Sequence, residues 1–138
     1  MVNQCSILYV HDGSVQEPPV NGLKMLGFAV TVIEDLPPDE VLTPHHALIV
    51  RARAECSLTM LAARLRAKPR FGRRVLVALV PETIPDRARR EALMSGFDSI
   101  KPVTCSERDI AAVILRFLRQ YPELRCFLRC PGGRRKAA

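Results

Sequence analysis

The sequence predicts an α/β protein in which a parallel β-sheet is covered by helices on both faces. Three observations lead there. Five short runs rich in apolar and β-branched residues alternate with stretches of helical character, so strand and helix follow one another five times. The connections are short. Several of the runs are apolar at consecutive positions, as strands buried on both faces must be. This order folds as a three-layer α/β/α sandwich with right-handed crossovers.

Each element has its own signals. Ser6-Ile7-Leu8-Tyr9-Val10 is the first strand, closed by His11-Asp12-Gly13. Asp12, at the end of a buried strand, is placed to bind a cation or to cap the segment after it. Pro18-Pro19 delays the next helix, since proline is tolerated only near a helix start. A short helix from about Val20 to Leu26 is expected, with Leu23 and Leu26 facing inward and Gly27 as its stop. Phe28 to Ile33 is the second strand, rich in β-branched residues. Pro37 to Leu42 allows a turn or two of helix at most before Pro44.

The third strand is the pivot of the functional reading. In His46-Ala47-Leu48-Ile49-Val50-Arg51-Ala52-Arg53, four apolar residues end abruptly in a cation. Ligands of open parallel sheets gather outside the carboxyl ends of the strands, so Arg51 is expected at the mouth of that crevice. Ser57 to Ala67 reads as an amphipathic helix with Leu58, Leu61, Ala62 and Leu65 on one face and a basic end that suits the helix dipole. Val75 to Val80 is the most apolar run and should be central. Thr83 is expected to cap a helix that has Pro85 in its first turn and ends at Gly96. Ser99 to Val103 is a weak fifth strand. The Thr104-Cys105-Ser106-Glu107 capping pattern opens a last helix to about Gln120, burying Ile110, Val113, Ile114, Phe117 and Leu118. Residues 1–120 therefore form one domain, and residues 121–138 a short amphipathic turn with a basic tail.

Composition narrows the classes. An apolar fraction of 48% fits a globular chain, and no apolar run approaches the length of a membrane span. The start Met1-Val2-Asn3-Gln4-Cys5 lacks the pattern of a signal peptide, so a cytoplasmic location is expected. Five scattered cysteines argue against a disulfide framework. The net charge of +7 points either to an acidic partner or to arginines that cover solvent-facing helices.

The run of five strand–helix units, the acidic position after strand one, Leu-x-x-Leu-Gly-Phe-x-Val before strand two, and Ser-Gly-Phe-Asp followed by Lys-Pro resemble the receiver domain of bacterial two-component response regulators. The likeness covers about residues 5 to 120. It implies the flavodoxin-like, receiver-like sheet of strand order 2-1-3-4-5. In that family an aspartate at the end of strand three accepts a phosphoryl group, two acids after strand one hold magnesium, a hydroxyl follows strand four, and a lysine precedes a proline. The chain departs from nearly all of this. Arg51 stands at the acceptor position, the acid pair is reduced to His11-Asp12, and Val80 takes the hydroxyl position. Lys101 has the right chemistry but lies closer to Gly96 than the family spacing, and an ungapped alignment would place Val103 there instead.

These departures imply an atypical receiver, a pseudo-receiver without the phosphoryl-accepting aspartate. Either Arg51 replaces the metal and holds one conformation, pairing with Asp12, or the site has decayed and Arg51 reaches out to solvent. Both readings remove phosphorylation by the family's chemistry. No catalysis, metal or cofactor is expected. The expected function is a stand-alone signalling module acting by protein–protein contact, with an acidic protein or a second copy as partner. The resemblance places the contact face on the fourth helix, fifth strand and fifth helix, here Arg87, Arg90, Met94, Lys101, Glu107 and Arg116. The alternative is a basic protein that binds nucleic acid or an anionic ligand through the arginines at 64, 66, 70, 73 and 74. Among these only Phe71 could stack on a base, so this reading is second. His45-His46 point to opposite sides of a strand and Cys126-x-x-x-Cys130 lacks a second pair, so neither is read as a metal site. Cys56, near the crevice mouth, is read as a plain thiol.

Overall fold

Short apolar runs that are buried on both faces can satisfy their backbone groups only by pairing with one another. They do so in the computed structural model, which describes residues 5–11, 20–34, 45–51, 62–63, 65–67 and 74–120. The elements are β1 (Ser6–His11), a helix Val20–Met25, β2 (Ala29–Glu34), β3 (Ala47–Arg51), β4 (Val75–Val80), a helix Asp86–Ser95, β5 (Ser99–Pro102) and a helix Glu107–Leu118. Every strand pairing is parallel, in the order β2-β1-β3-β4-β5. This is the expected sheet.

Alternation along the strands divides the core into two layers. On one face Leu8, Val10, Leu48, Val50, Leu76, Ala78 and Val80 pack with Ala62, Leu65, Ala92 and Phe97. On the other, Ile7, Tyr9, Ile49, Val77 and Leu79 pack under Leu23, Phe28, Ile110, Ile114 and Leu118. β4 is buried at every position, while β2, on the sheet's edge, is half-buried or exposed. β4 thus lies inside the sheet, although β3 takes the middle place.

Several element ends differ from the sequence reading. The helix expected from Thr83 starts at Asp86, with Pro85 at the cap position and no side-chain cap bond. Ser106, not Thr104, caps the last helix, its Oγ accepting from the Asp109 amide at 3.1 Å. Thr104 instead donates to Glu82 at 2.8 Å, tying together the loops that follow β4 and β5. Leu23 is buried as expected, but Leu26 is 45% exposed because the chain turns away there, with Gly27 at φ +102°. Val113 and Phe117 are half-buried and Ala111 is buried in their place. The helical turn expected at 37–42 and the tail 121–138 lie outside the described residues.

Candidate functional site

The carboxyl ends of the strands carry the groups the sequence singled out. Arg51 ends β3, and the register sets it level with Leu79 of β4 and, one strand further, Lys101 of β5. Partners in a parallel register point to the same face, so Arg51 and Lys101 both stand on the side of Tyr9 and Ile49. Two strand spacings separate them, about 10 Å between backbones, well within the combined reach of the two side chains. Both are half-buried. His11 ends β1 opposite Glu34, with its ring 6.5 Å from that of Tyr9. Asp12 lies outside the described residues. Val80 is fully buried on the opposite face among Leu48, Val50 and Ala78, so it offers this edge neither a hydroxyl nor a contact.

Tyr9 was hidden from sequence reading inside an apolar run. Its side chain is fully buried, yet its hydroxyl has no well-formed hydrogen bond among the described residues. Burial raises the phenol above its ordinary pKa, while the Arg51 guanidinium facing it acts the other way. The two face each other without reaching good hydrogen-bond geometry. Cys105 lies close by, its thiol raised chiefly by burial and lowered by Lys101. Tyr9, Arg51, Lys101 and Cys105 therefore form one neighbourhood where the sheet meets the start of helix 107–118. Among the described residues no carboxylate pairs with Arg51 or Lys101.

Magnesium, which the family resemblance implies, needs a cage of oxygen donors. Among the described residues this edge presents a guanidinium, an ammonium, a phenol, an imidazole and the single carboxylate of Glu34, and no cluster of three metal-ligating side chains. The described residues of this edge do not fit the ion, and Asp12 lies outside them.

The expected contact face is only partly brought together. Met94 is 87% exposed, and Arg87 and Arg90 share its helix at the surface. Arg87 pairs with Glu91 at 3.3 Å in an exposed bridge. Arg116 is exposed, 5.5 Å from the centre of the Phe117 ring. Glu107 turns elsewhere. Its side chain fills the space beside Gly22, where a Cβ would meet Glu107 Cγ at 2.6 Å, so it belongs with helix 20–25. Leu93, 44% exposed beside Met94, is an addition that its sequence neighbours did not announce.

The basic cluster at 64–74 loses members as a surface. Arg66 donates to the Gly96 and Arg74 carbonyls at 2.9 and 2.7 Å and to Asp98 at 2.9 Å. Arg74 donates to the His45 carbonyl at 2.8 Å. Arg64, Arg70 and Arg73 lie outside the described residues, as do Cys56, Cys126 and Cys130. Cys5 is buried, its thiol pushed up to about 12, and is inert. His46 is occupied too, its Nδ1 accepting from the Ser6 amide at 2.8 Å.

With this geometry in place, comparison with solved structures is decisive for the fold. A response regulator receiver domain from Clostridium thermocellum superposes with a TM-score of 0.69 at 13% identity, over 87% of this chain and 98% of that one. The chain adopts the receiver fold. An atypical orphan response regulator with a phosphorylation-independent mechanism matches with a TM-score of 0.66 at 20% identity, over 83% and 95% of the two chains. An orphan response regulator of H. pylori matches with the same score and identity, over 85% and 100%. No family model matches the chain, and no curated protein matches it. No helix among the described residues is long and apolar enough to cross a membrane.

Proposed function

We propose that this chain is a receiver-fold signalling module that works by protein–protein contact and transfers no phosphoryl group. One observation carries the reading: the last residue of β3 is Arg51, a group that cannot act as a nucleophile. The cation is permanent, and with Lys101 in register it repels the metal that acyl-phosphate chemistry requires. The sheet edge has thus exchanged a transferable negative charge for a fixed positive one. That one of the similar structures is described as phosphorylation-independent supports the same reading.

Contact is the remaining use of the fold. Arg87, Arg90, Met94, Lys101 and Arg116, joined by Leu93, give a mainly basic surface with an apolar centre, suited to an acidic protein or to a second copy. Nucleic acid is the weaker reading, since Arg66 and Arg74 are spent on internal bonds. The chain is expected to work in the cytoplasm, without a cofactor.

The test is intact mass after incubation with magnesium and a small acyl-phosphate donor. The expected result is an unchanged mass. A gain of one phosphoryl group that disappears in Asp12→Ala would overturn the reading.

A further inference from the structure

A chain with a net charge of +7 repels a second copy of itself over most of its surface. One part of the described surface differs. Helix 20–25 and the start of helix 107–118 leave a groove of about 380 Å³ between them, lined by Met25 and Leu26 from the first and by Glu107 and Arg108 from the second. Met25 is 88% exposed and Leu26 45%, two large apolar side chains next to one another in water. The strip continues along helix 107–118, where Ala112 and Leu115 follow Arg108 at intervals of four and three residues and share its side of the helix. Both are exposed. Gly22 lets the two helices meet closely: a Cβ there would lie 2.8 Å from Glu107 Cδ, so the Glu107 stem is held against helix 20–25. Among the described residues neither Glu107 nor Arg108 has an ion-pair partner. The groove walls carry one acid and one base, and Lys24 and Asp109, exposed beside them in the sequence, add one of each.

We propose that this groove joins two copies of the chain across a two-fold axis, on a surface separate from the basic face of helix 86–95. The inference rests on the reading that the chain works by protein contact. Charge complementarity decides the occupant. A two-fold contact sets each residue against a different residue of the other copy, so Glu107 of one copy meets Arg108 of the other, and the pairing occurs twice. An acidic partner would face Glu107 and Asp109 as like charges, and a basic one would face Lys24 and Arg108. A second copy answers both signs. Met25, Leu26 and Leu115 then leave water together, and the small Ala112 lets the helices approach. The face of helix 86–95 cannot serve in this way. It presents Arg87 and Arg90, and Glu91 is already paired with Arg87, so two copies brought together there set cation against cation. That repulsion reserves the basic face for an acidic protein, while the charge-balanced groove holds the second copy. The side chains involved are far fewer than the roughly 20–30 per side of a standard interface, so a weak dimer is expected, with a Kd of about 10–100 μM.

The experiment is sedimentation velocity of the full chain at constant ionic strength, over about 5–500 μM protein. The expected result is a concentration-dependent shift from monomer to dimer. Met25→Glu and Leu115→Glu, both at exposed positions, should each weaken dimerisation about tenfold or more. Glu107→Arg sets cation against cation at both symmetric contacts, and Arg108→Glu sets acid against acid, so each variant alone should dimerise more weakly. An equimolar mixture of these two should recover the dimer, because every contact then joins opposite charges. Association through apolar surface alone would not recover on mixing. Circular dichroism checks that Glu107→Arg is folded; if it is not, Met25→Glu and Arg108→Glu decide the matter. Monomers across the whole range overturn the proposal and leave the groove to another protein or to residues 121–138. Failure of two folded variants to recover on mixing overturns it too. So does association that survives Met25→Glu and is lost in Met94→Glu, which would seat the second copy on helix 86–95. Self-association and the covalent mass gain are separate readouts, so failure here leaves the functional reading standing.

Discussion

The two ends of the sheet are built on opposite principles. At the amino end the polar groups answer one another. The Asp98 carboxylate accepts from Arg66 at 2.9 Å and from the Leu76 amide at 2.8 Å, and the Asp98 amide returns a bond to the Leu76 carbonyl at 2.8 Å. Arg66 also reaches the carbonyls of Gly96 and Arg74, and Arg74 that of His45. His46 links back to Ser6, so the starts of β1, β3, β4 and β5 are joined through one set of side chains. At the carboxyl end, Arg51 and Lys101 have no carboxylate among the described residues and Tyr9 has no partner there. Among the described residues His45 Nδ1 is an exception at the amino end, which is otherwise matched bond for bond, whereas the carboxyl end is not; such a fold keeps stability at the first and ligand or partner chemistry at the second.

The sharpest way to break this contrast is to cut the amino-end network. Asp98→Ala removes the partner of a mostly buried guanidinium and leaves the Leu76 amide unbonded, so it should cost about 3 kcal/mol of folding stability. Urea unfolding of the variant measures it. A loss below about 1 kcal/mol would show that the network is ornamental and that the two ends do not differ.

A smaller effect sharpens the same point through pH. Burial, with help from Arg74 and His45, lowers the His46 pKa from 6.5 to about 4. Neutral Nδ1 is what accepts the Ser6 amide, and a protonated ring could not. As pH falls below 6.5 the unfolded chain takes up this proton while the native ring resists until about 4. The unfolded state then binds more protons, so stability declines across that window and this contribution levels off below it. His46→Asn keeps an acceptor and removes the titration. Its urea midpoint should fall less steeply than the wild-type midpoint over the same window; parallel curves would rule out His46 as the source.

Much of the architecture was legible in the residues, because uninterrupted runs such as Val75 to Val80 admit few structures other than buried strands. Ends were harder to read. Thr104 and Ser106 are both competent caps, and only the direction in which the chain leaves β5 decides for Ser106. Leu26 fits the inward spacing of Leu23 but falls where a positive-φ glycine turns the chain out. At the site, Arg51 was visible as a cation closing an apolar run. Tyr9 was not, since a phenol within Ile-Leu-Tyr-Val looks like any core residue until its hydroxyl is counted. The Arg66–Asp98 pair joins residues 32 positions apart, which no local pattern discloses. Glu107, read onto the contact face through the resemblance, instead fills the space left by Gly22.

The smallest expected effect bears most directly on function. If the carboxyl edge contributes little to folding, Arg51→Met in phosphate-free buffer should change stability by no more than about 0.5 kcal/mol. Methionine keeps much of the apolar stem that lies along the sheet and gives up only a charge that no described carboxylate answers. Removing one of two cations held on the same face also relieves their repulsion, which sets the sign toward a slight gain. Lys101→Met should behave alike, and the double variant should be additive or less, because the repulsion can be relieved only once. A loss above about 1 kcal/mol for Arg51→Met would place that guanidinium among the structural bonds, as Arg66 is, and the division between the two ends would disappear.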